Sequence, residues 1–450
     1  MIWSVIQVVG GQGISFGVML VLASLLSPAD FGVVGMANVW LAFVQSFSEL
    51  GFGAALIQKR QISTAHCSSV FFVNVVTGIV LTAGGICLSW PCAAFFSNSK
   101  VQPIMAILSF GIIINSFSLT QLAITQKVLN FKVLAVRNIV ASLGGGLLGV
   151  AGAWGGWGVW SLVVQSLTTN SIGAILIWRL SPWRPSWRDF SMEHVRDLWN
   201  YGAQMFAFNF FKYFAQNLDK IIVGHFLGAT ALGLYAFAYT LVVQPVAVFV
   251  GAIGNFLFPK MASVQEDVGR VRTLCLLTAK SVGVLLLPWL LFIFISAGKI
   301  VSIAWGPQWL SAVPSIRMFC AMAFVFAFVS PVGQLMKALN RPEWLFKYSV
   351  FIAALGGGLV FLGTRVWGIS GAAAGLTFSY ILGLPLNFWI IKQLTQAKIP
   401  DIFRALWPIP TARDGEAILN RVRMEWAGLW PNRSAPFDVK FVSFKRNMGR

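Results

Sequence analysis

Long apolar runs, each able to cross a lipid bilayer as a helix, make up most of this chain. A helix needs about 20 residues to span the hydrocarbon core, and about twelve such runs fit between residues 3 and 391. Apolar residues form 57% of the sequence and charged residues 10%, against about 45–50% and about 25% in soluble domains. The runs lack the apolar–polar alternation of membrane β-strands. The sequence therefore predicts an all-α polytopic membrane protein and excludes a soluble, disordered or fibrous one.

The predicted spans and a polar end divide the chain into three parts. We expect an N-terminal six-helix lobe over residues 1–200, a C-terminal six-helix lobe over residues 201–395 and a polar cytoplasmic tail over residues 396–450. From Lys398 onward the tail holds ten Lys/Arg and five Asp/Glu, and no remaining apolar run is long enough to span. The predicted helices are 3–27, 33–57, 67–95, 102–125, 133–153, 157–178, 201–227, 234–258, 273–297, 314–336, 345–364 and 368–391.

Lysine and arginine are distributed unevenly between the two sides of the predicted bundle. The loops after predicted helices 2, 4, 6, 8 and 10 are rich in them, whereas the loops on the other side hold three, Lys100, Lys299 and Arg365. Loops rich in Lys and Arg stay in the cytoplasm. We therefore expect a multi-pass protein with both termini in the cytoplasm. The two sides are called below the basic side and the opposite side.

Several other functions find no support in the residue content. The net charge is +19, but no basic stripe interleaves with aromatic residues as in single-strand nucleic-acid grooves, so no nucleic-acid partner is expected. Three widely spaced histidines and five cysteines without a CxxC pair predict neither a metal site nor a redox role. A GxxxxGK[ST] motif is missing, so ATP is not expected to power the chain. We predict no cofactor, no metal and no catalytic residue.

An internal repeat points to a transporter. Both copies of one repeated segment carry three consecutive glycines, which permit close helix packing in membranes. Two copies of six helices enter the membrane from the same side and are therefore parallel repeats. Transporters with such repeats bind substrate between the halves and alternate between access states. The matches, in chain order, are Gly32 with Gly233 at a shift of 201, ASLGGGL (141–147) with AALGGGL (353–359) at a shift of 212, and WGV (157–159) with WGI (367–369) at a shift of 210.

Five segments resemble a known family. They are LASLLSPADFGVVGMANVW (22–40) with ELGFGAALIQ (49–58), QKVLNFKVLAVRNIV (126–140), NLDKIIVGHFLGATALGLYAFAYTL (217–241) with LFPKMASVQED (257–267), and WGPQWLSAVPSIRMF (305–319). In this order they resemble the Wzx-type polysaccharide flippases, above all exporters of the colanic-acid type, within the multidrug/oligosaccharidyl-lipid/polysaccharide superfamily. The resemblance covers about residues 1–395. It departs at both ends, because related proteins have a longer N-terminus and many continue into two further helices where this chain has its polar tail.

The resemblance implies a fold and a function. Two six-helix lobes are expected to form a V around a central cavity. The implied activity is transfer of an undecaprenyl-pyrophosphate-linked oligosaccharide across the bacterial cytoplasmic (inner) membrane, for exopolysaccharide or lipopolysaccharide synthesis. The implied partners are this lipid-linked substrate and membrane lipids. The resemblance does not decide whether a polysaccharide polymerase or other synthesis proteins are also partners.

Cations within the spans are the candidate substrate ligands. A charge at the bilayer centre costs about 2.5–3.5 kcal/mol, so it usually faces a cavity or a partner. Lys212 lies about 16 Å into its helix at about 1.5 Å per residue, which is too deep to reach the membrane surface easily. We predict that Lys212, Lys220, Lys280 and Arg317 bind the pyrophosphate. Membrane-surface anchoring is the alternative for Lys280 and Arg317.

Two carboxyl groups within the spans are candidates for ion coupling. Asp219 lies seven residues after Lys212 and so shares its helix face. Glu49 lies on predicted helix 2, where burial would favour a protonated carboxyl suited to proton exchange. A proton or sodium site and a purely structural pairing both remain open for each residue.

Aromatic residues in and near the predicted spans are candidates for ligand contacts or for membrane-interface positions. Tyr201, Phe210 and Tyr213 are candidates for contacts with sugar rings or the prenyl chain. Trp305 and Trp309 precede helix 10 in a semi-apolar segment that suits the membrane interface.

Two other functions are alternatives to the polysaccharide flippase. A cation-coupled multidrug exporter or a peptidoglycan-precursor flippase of the same superfamily is the first alternative. A membrane glycosyltransferase is the second, and the near absence of carboxylates from the opposite-side loops argues against it.

Overall fold

The computed structural model describes residues 2–47, 51–59, 62–396 and 400, and every regular element in these ranges is a helix. Eight helical stretches in this part of the chain are long and apolar enough to cross a membrane. The predicted all-α polytopic fold is confirmed, and the predicted tail lies outside the described residues except for 396 and 400. In chain order the helices are α1 Ile2–Leu25, α2 Pro28–Gln45, α3 Phe52–Gln58, α4 Thr64–Phe95, α5 Val101–Lys127, α6 Phe131–Trp154, α7 Trp160–Leu180, α8 Met192–Ala262, α9 Val268–Ala304, α10 Val313–Ala338, α11 Pro342–Leu382 and α12 Leu384–Thr395, with 3₁₀ turns at Trp187–Asp189 and Pro307–Ala312.

Two helices begin at capping boxes that the sequence encodes locally. The Ser27 side chain accepts a hydrogen bond from the Asp30 amide, the Asp30 carboxylate accepts one from the Ser27 amide, and Pro28 occupies the first turn of α2. Ser63 and His66 form the same reciprocal pair at the start of α4. Such caps satisfy amides that have no partner within the helix. They fix where the chain turns back into the membrane.

The helices α8 and α11 each contain a chain reversal. Gly228 interrupts α8 with φ 80° and ψ −175°. Gly368, with φ 60°, interrupts α11 together with Trp367. The predicted helix pairs 201–227/234–258 and 345–364/368–391 are therefore joined by one or two non-helical residues. Left-handed φ values are easy only for glycine, so these glycines decide where each hairpin turns.

The backbone supports the internal repeat. Gly158, in the turn between α6 and α7, has φ 55°, and Gly368 has φ 60°. The shift of 210 residues that matches WGV (157–159) with WGI (367–369) places these two glycines at equivalent positions. The same unusual conformation at equivalent positions is the outcome expected if the hairpins α6–α7 and α11 descend from one ancestral hairpin.

Glycines also let helices cross at backbone distance. A Cβ on Gly145 of α6 would lie 1.9 Å from the Thr169 hydroxyl of α7. A Cβ on Gly371 would lie 2.0 Å from the carbonyl oxygen of Gly363, on the other side of the α11 reversal. Without a hydrophobic driving force between helices in lipid, such close contact is a main source of stability. The predicted role of the first glycine cluster, 144–146, in close packing is confirmed.

The structure corrects two expectations. Predicted helix 2 (33–57) is not continuous, because α2 ends at Gln45 and α3 begins at Phe52 after Gly51, whose φ is 70°. The intervening Glu49 lies outside the described residues. Trp305 and Trp309 do not face the membrane interface, since they are 9% and 0% exposed. Their indoles pack against the Phe237 ring with centroids 5.2 and 4.3 Å away.

The described chain contains two compact units. The first comprises the described residues up to Val248, Ile293–Met322 and Lys347–Ile381, and the second comprises Phe249–Phe292, Ala323–Phe346 and the described residues from Leu382. The second unit has its own apolar core around Ala279, Phe328 and Val329. The predicted lobe boundary at residues 200 and 201 falls inside α8.

Candidate functional site

A buried carboxyl group lies among tyrosines in the first unit. Asp219, on α8 before the reversal, is 8% exposed. Its Oδ2 accepts a hydrogen bond of 2.8 Å from the hydroxyl of Tyr235, which follows the reversal and is fully buried. A buried charge requires such a partner, because desolvation is costly in an apolar interior. The reversal at Gly228 brings the two residues together.

Lys220 belongs to the same polar cluster. Its Nζ donates a hydrogen bond of 3.2 Å to the Asn217 side chain and lies 5.6 Å from the centre of the Tyr239 ring. Tyr239 lies near the Asp219 carboxyl. The sequence-predicted ion-coupling residue and one predicted substrate ligand therefore meet at one place.

The tyrosines are the residues that sequence reasoning missed. Tyr380 of α11 also lies near Asp219 and Tyr348, so four of the six tyrosines of the chain belong to this region. The available signal was the i, i+4 pair in LYAFAY (234–239), which places both hydroxyls on one helix face. We call Asp219, Lys220, Tyr235, Tyr239 and Tyr380 the tyrosine cluster.

The remaining predicted ligands are not in this cluster. Arg317 is exposed, donates from Nε to the Phe294 carbonyl at 3.3 Å and lies over the Phe294 ring at 5.9 Å. Phe319 of the same helix packs against Tyr235 and Tyr239, and residues two apart on a helix point in nearly opposite directions. Lys280 is half-buried in the second unit. The Lys212 side chain and Glu49 lie outside the described residues.

Aromatic side chains join α2 to the part of α8 before the reversal. The Phe43 ring lies 5.9 Å from the ring of Phe210 and 5.6 Å from that of Phe214. Tyr213 is 7% exposed and donates its hydroxyl hydrogen bond to the Val39 carbonyl. In this conformation Tyr213 therefore serves packing, and the neighbouring Phe211, 57% exposed, is the more accessible ring. The contact with sugars expected for Phe210 and Tyr213 stays a prediction.

The two halves of the repeat meet at a pair of glycines. A Cβ on Gly32 of α2 would lie 1.7 Å from the carbonyl oxygen of Ala229, and a Cβ on Gly233 would lie 1.8 Å from the carbonyl oxygen of Pro28. The shift of 201 residues that aligns Gly32 with Gly233 also aligns Pro28 with Ala229. The two contacts are thus equivalent by the repeat. We call these four residues the glycine clasp.

Neighbouring side chains extend the contact around the clasp. His225, just before the reversal in α8, places Nδ1 2.8 Å from the Phe95 carbonyl, and its ring stacks on Phe95 at 4.4 Å. Trp305 donates from Nε1 to the Leu20 carbonyl at 2.8 Å. Trp309 packs edge-on against Phe31 at 5.6 Å. All of these contacts lie within the first unit, and they join the two halves at the turns assigned to the opposite side.

At the basic side, polar contacts attach the linker between the halves to the first half. The Lys59 ammonium forms a salt bridge with Asp197, and His66 Nε2 lies 3.2 Å from the same carboxylate. The amides of Ser186 and Ser191 donate to the hydroxyls of Ser68 and Ser69, at 3.2 and 2.9 Å. The start of α8 is therefore anchored to α3 and α4.

The comparison with known families decides the family. Residues 21–314 match the model of the family described as polysaccharide biosynthesis protein. The chain belongs to this family. The matched range includes the glycine clasp, Asp219, Lys220, Tyr235 and Tyr239. The resemblance stated from sequence motifs is therefore confirmed.

Curated relatives have the same kind of description. The chain is 25% identical to the lipopolysaccharide biosynthesis protein WzxC of Escherichia coli over 408 residues, which cover 90% of this chain and 83% of that protein. It is 23% identical to the succinoglycan biosynthesis transport protein ExoT of Rhizobium meliloti over 363 residues, covering 80% and 73%. Both alignments extend over most of this chain and most of the relative.

Solved structures confirm the fold. The lipid II flippase MurJ, in an inward closed conformation, matches with a TM-score of 0.71 at 10% identity, covering 96% of this chain and 94% of that one. An inward-facing multidrug resistance MATE transporter of the MOP superfamily matches with a TM-score of 0.66 at 14% identity, covering 88% and 99%. The protein therefore has the fold of MOP-superfamily transporters.

We predict that Gly32→Val opens the glycine clasp. A valine side chain has no room against the Ala229 carbonyl, so the halves must separate at these turns. Spin labels on the exposed Lys100 and Lys299 positions, measured by electron–electron double resonance, should report a longer mean distance than in the parent. Gly35→Ala is the control, because its Cβ would meet only the Leu232 side chain at 3.4 Å. Equal distances in the Gly32→Val and Gly35→Ala variants would contradict the clasp as a closing contact.

Proposed function

We propose that this protein moves an undecaprenyl-pyrophosphate-linked oligosaccharide from the cytoplasmic to the outer leaflet of the bacterial inner membrane by alternating access. The observation that carries the proposal is the glycine clasp. In a member of the polysaccharide biosynthesis family, the two repeats meet at the opposite-side turns through a symmetric backbone contact, which the side chains of His225, Trp305 and Trp309 flank. Such a contact closes one side of the membrane and is able to separate as a unit. The excess of Lys and Arg in the loops of the other side supports the outer face as the closed side.

The names of the relatives support a transporter, and not an enzyme, of surface polysaccharide synthesis. ExoT is described as a transport protein and MurJ as a lipid II flippase. For this chain, membrane lipids and the lipid-linked oligosaccharide are the proposed partners. A polysaccharide polymerase that consumes the transported unit is a proposed protein partner, because removal of product on the outer side would give the transport a direction.

Complementation tests the proposed function. The chain is expressed in bacteria that lack their own oligosaccharide flippase, using several hosts with different lipid-linked glycans. We expect surface polysaccharide to return in a host with a matching glycan, while the trapped lipid-linked pool falls. Immunoblotting of membrane fractions controls for expression, and wild-type host flippases control for each assay. Full membrane expression without restoration in any host would contradict the proposal.

Within this mechanism, lysines neutralise the pyrophosphate. A compact ammonium attracts phosphate without the bidentate geometry of arginine, which suits a ligand that must be released. Lys212 and Lys220 are eight residues apart on α8 and lie about 12 Å apart along the helix axis. They are the proposed cavity cations, and Lys280, in the second unit, is a further proposed substrate ligand on the sequence alone. Arg317, exposed and held by Phe294, is proposed to act in release on the outer side.

We predict that Lys212→Ala abolishes export with normal membrane expression, and that Lys212→Arg retains part of it. The physical reason is that alanine leaves the pyrophosphate charge without a counter-charge inside the membrane, where its desolvation cost is high. Surface polysaccharide in the complementing host is the measurement. Lys100→Ala, which removes an exposed cation outside the spans, is the matched control and should export normally. Normal export by Lys212→Ala would remove this residue from the proposed site.

Asp219 is proposed to couple transport to an ion gradient. It is a buried carboxyl group that accepts a hydrogen bond from the Tyr235 hydroxyl, and carboxyl and hydroxyl oxygens are suitable ligands for a proton or a sodium ion. Lys220, a proposed substrate ligand, lies in the same cluster. A change in the charge of Asp219 would therefore change the electrostatic potential at Lys220. Glu49 is the second proposed coupling residue, on the sequence evidence alone.

We predict that Asp219→Asn removes the dependence of flipping on the proton or sodium gradient. The amide keeps the size and the hydrogen bond from Tyr235 but cannot change its charge. The measurement is the movement of a labelled lipid-linked substrate between the leaflets of vesicles with imposed gradients. Glu49→Gln is tested in parallel. Tyr235→Phe is the structural control, because it deletes the 2.8 Å hydrogen bond and keeps the carboxyl. If Asp219→Asn retains the parental gradient dependence, Asp219 has only a structural role.

A further inference from the structure

An apolar groove with two arginines at one end lies on the first unit, between α5 and α7. Its volume is about 470 Å³. It is separate from the glycine clasp and the tyrosine cluster, with which it shares no residue. We call it the α5–α7 groove. Its lining residues are Ile114, Phe117, Ser171, Ala174, Ile175, Trp178, Arg179 and Arg184.

The residue spacing explains the shape of the groove. Ser171, Ala174, Ile175 and Trp178 recur at intervals of three and four residues and therefore lie on one face of α7. Ser171 and Ala174 are small, so a channel remains between the larger side chains on either side. Ile175 is 57% exposed, which leaves the groove open along its length. A flexible hydrocarbon chain fits this geometry.

Both arginines lie at the end of α7 that belongs to the basic side. Arg179 lies in the last turn of α7. Arg184 lies beyond the helix, where its Nη1 donates to the carbonyls of Ser181 and Trp183 and its guanidinium lies 5.6 Å from the Trp178 ring. Trp178 itself donates from Nε1 to the Phe117 carbonyl at 3.0 Å. The Arg184 guanidinium is thus fixed at the mouth of the groove.

The length of the groove matches one leaflet of a bilayer. Eight residues separate Ser171 from Arg179, which corresponds to about 12 Å of helix. Half of the hydrocarbon core is about 15 Å. An acyl chain in the groove would therefore begin near the plane of the phosphates and end near the bilayer midplane. The two guanidinium groups would stand at phosphate level.

We propose that the α5–α7 groove binds an anionic phospholipid of the leaflet on the basic side. One acyl chain occupies the apolar channel, and the phosphate accepts hydrogen bonds from Arg179 and Arg184. Charge complementarity carries the choice of occupant, because guanidinium groups match phosphate oxygens in bidentate geometry, and the leaflet supplies such lipids at high local concentration. The bound lipid holds the segment Ser181–Arg184 against α7. Since this segment leads into the linker anchored on α4, the lipid stabilises the first half as a unit.

Lipid retention by the purified full-length protein tests this inference. The protein is reconstituted in phosphatidylcholine nanodiscs containing phosphatidylglycerol, and bound lipids are counted by native mass spectrometry after extraction. The parent should retain phosphatidylglycerol in excess of phosphatidylcholine. In the double variant Arg179→Gln/Arg184→Gln, the ratio of retained phosphatidylglycerol to phosphatidylcholine should fall about tenfold, as expected for lost charge-assisted hydrogen bonds. Arg188→Gln, an exposed arginine in the neighbouring 3₁₀ turn, is the matched control and should retain it.

A second variant separates groove binding from general charge effects. Ala174→Leu partly fills the channel and leaves every arginine in place, so it should also lower phosphatidylglycerol retention. Equal loss in Arg188→Gln and in the double variant would reduce the effect to net charge and overturn the proposal. Undecaprenyl phosphate that displaces phosphatidylglycerol at equal concentration would identify the groove as a site for substrate lipid, which also overturns it. None of these outcomes depends on whether the protein flips an oligosaccharide.

Discussion

Contact between backbones at glycine is the interaction on which the architecture depends. Within a membrane, helices gain little from burying apolar side chains against each other, so their association relies on close packing. Gly145 and Gly371 provide such contact inside each half, and the paired Gly32 and Gly233 provide it between the halves. The contacts inside each half lie within tight hairpins. The clasp between the halves consists of two small patches at the tips of turns. In the proposed transport cycle the clasp opens, whereas the contacts inside each half stay closed.

The sequence predicts most of the fold because the bilayer leaves few alternatives. Every backbone polar group must find its partner within the helix, so apolar runs became helices close to their predicted positions. Gly158 and Gly368, matched by the repeat, both adopt left-handed conformations. The failures have local causes. Predicted helix 2 crosses Gly51, whose left-handed backbone marks a break that hydropathy does not detect. Trp305 and Trp309 were assigned to the membrane interface by residue type, whereas long-range contacts bury them.

The candidate site could be predicted only in part, for a physical reason. A charge inside an apolar span is conspicuous, and so Asp219 and Lys220 were identified from sequence. Their partners were not, because the helical spacing of Tyr235 and Tyr239 is a much weaker signal than a charge within an apolar span. Tyr235 reaches Asp219 only because α8 reverses at Gly228, and Tyr380 comes from a different hairpin altogether. Sequence patterns thus reveal the ionisable residue of a buried polar cluster more readily than the neutral groups that compensate for its desolvation free energy.

The three lysines proposed as substrate ligands and the two groove arginines occupy different environments, and their chemistry accounts for the difference. Lys212, Lys220 and Lys280 lie within spans, where the proposed substrate must bind and leave again. A lysine ammonium is a point charge on a flexible stem, and it can follow a moving phosphate. Arg179 and Arg184 lie at the end of a span, where two backbone carbonyls and the Trp178 ring hold the Arg184 guanidinium in place. A planar guanidinium in a fixed position favours a ligand that stays bound. The proposed transport cavity and the proposed lipid groove therefore use the same positive charge for opposite purposes, release in one and retention in the other.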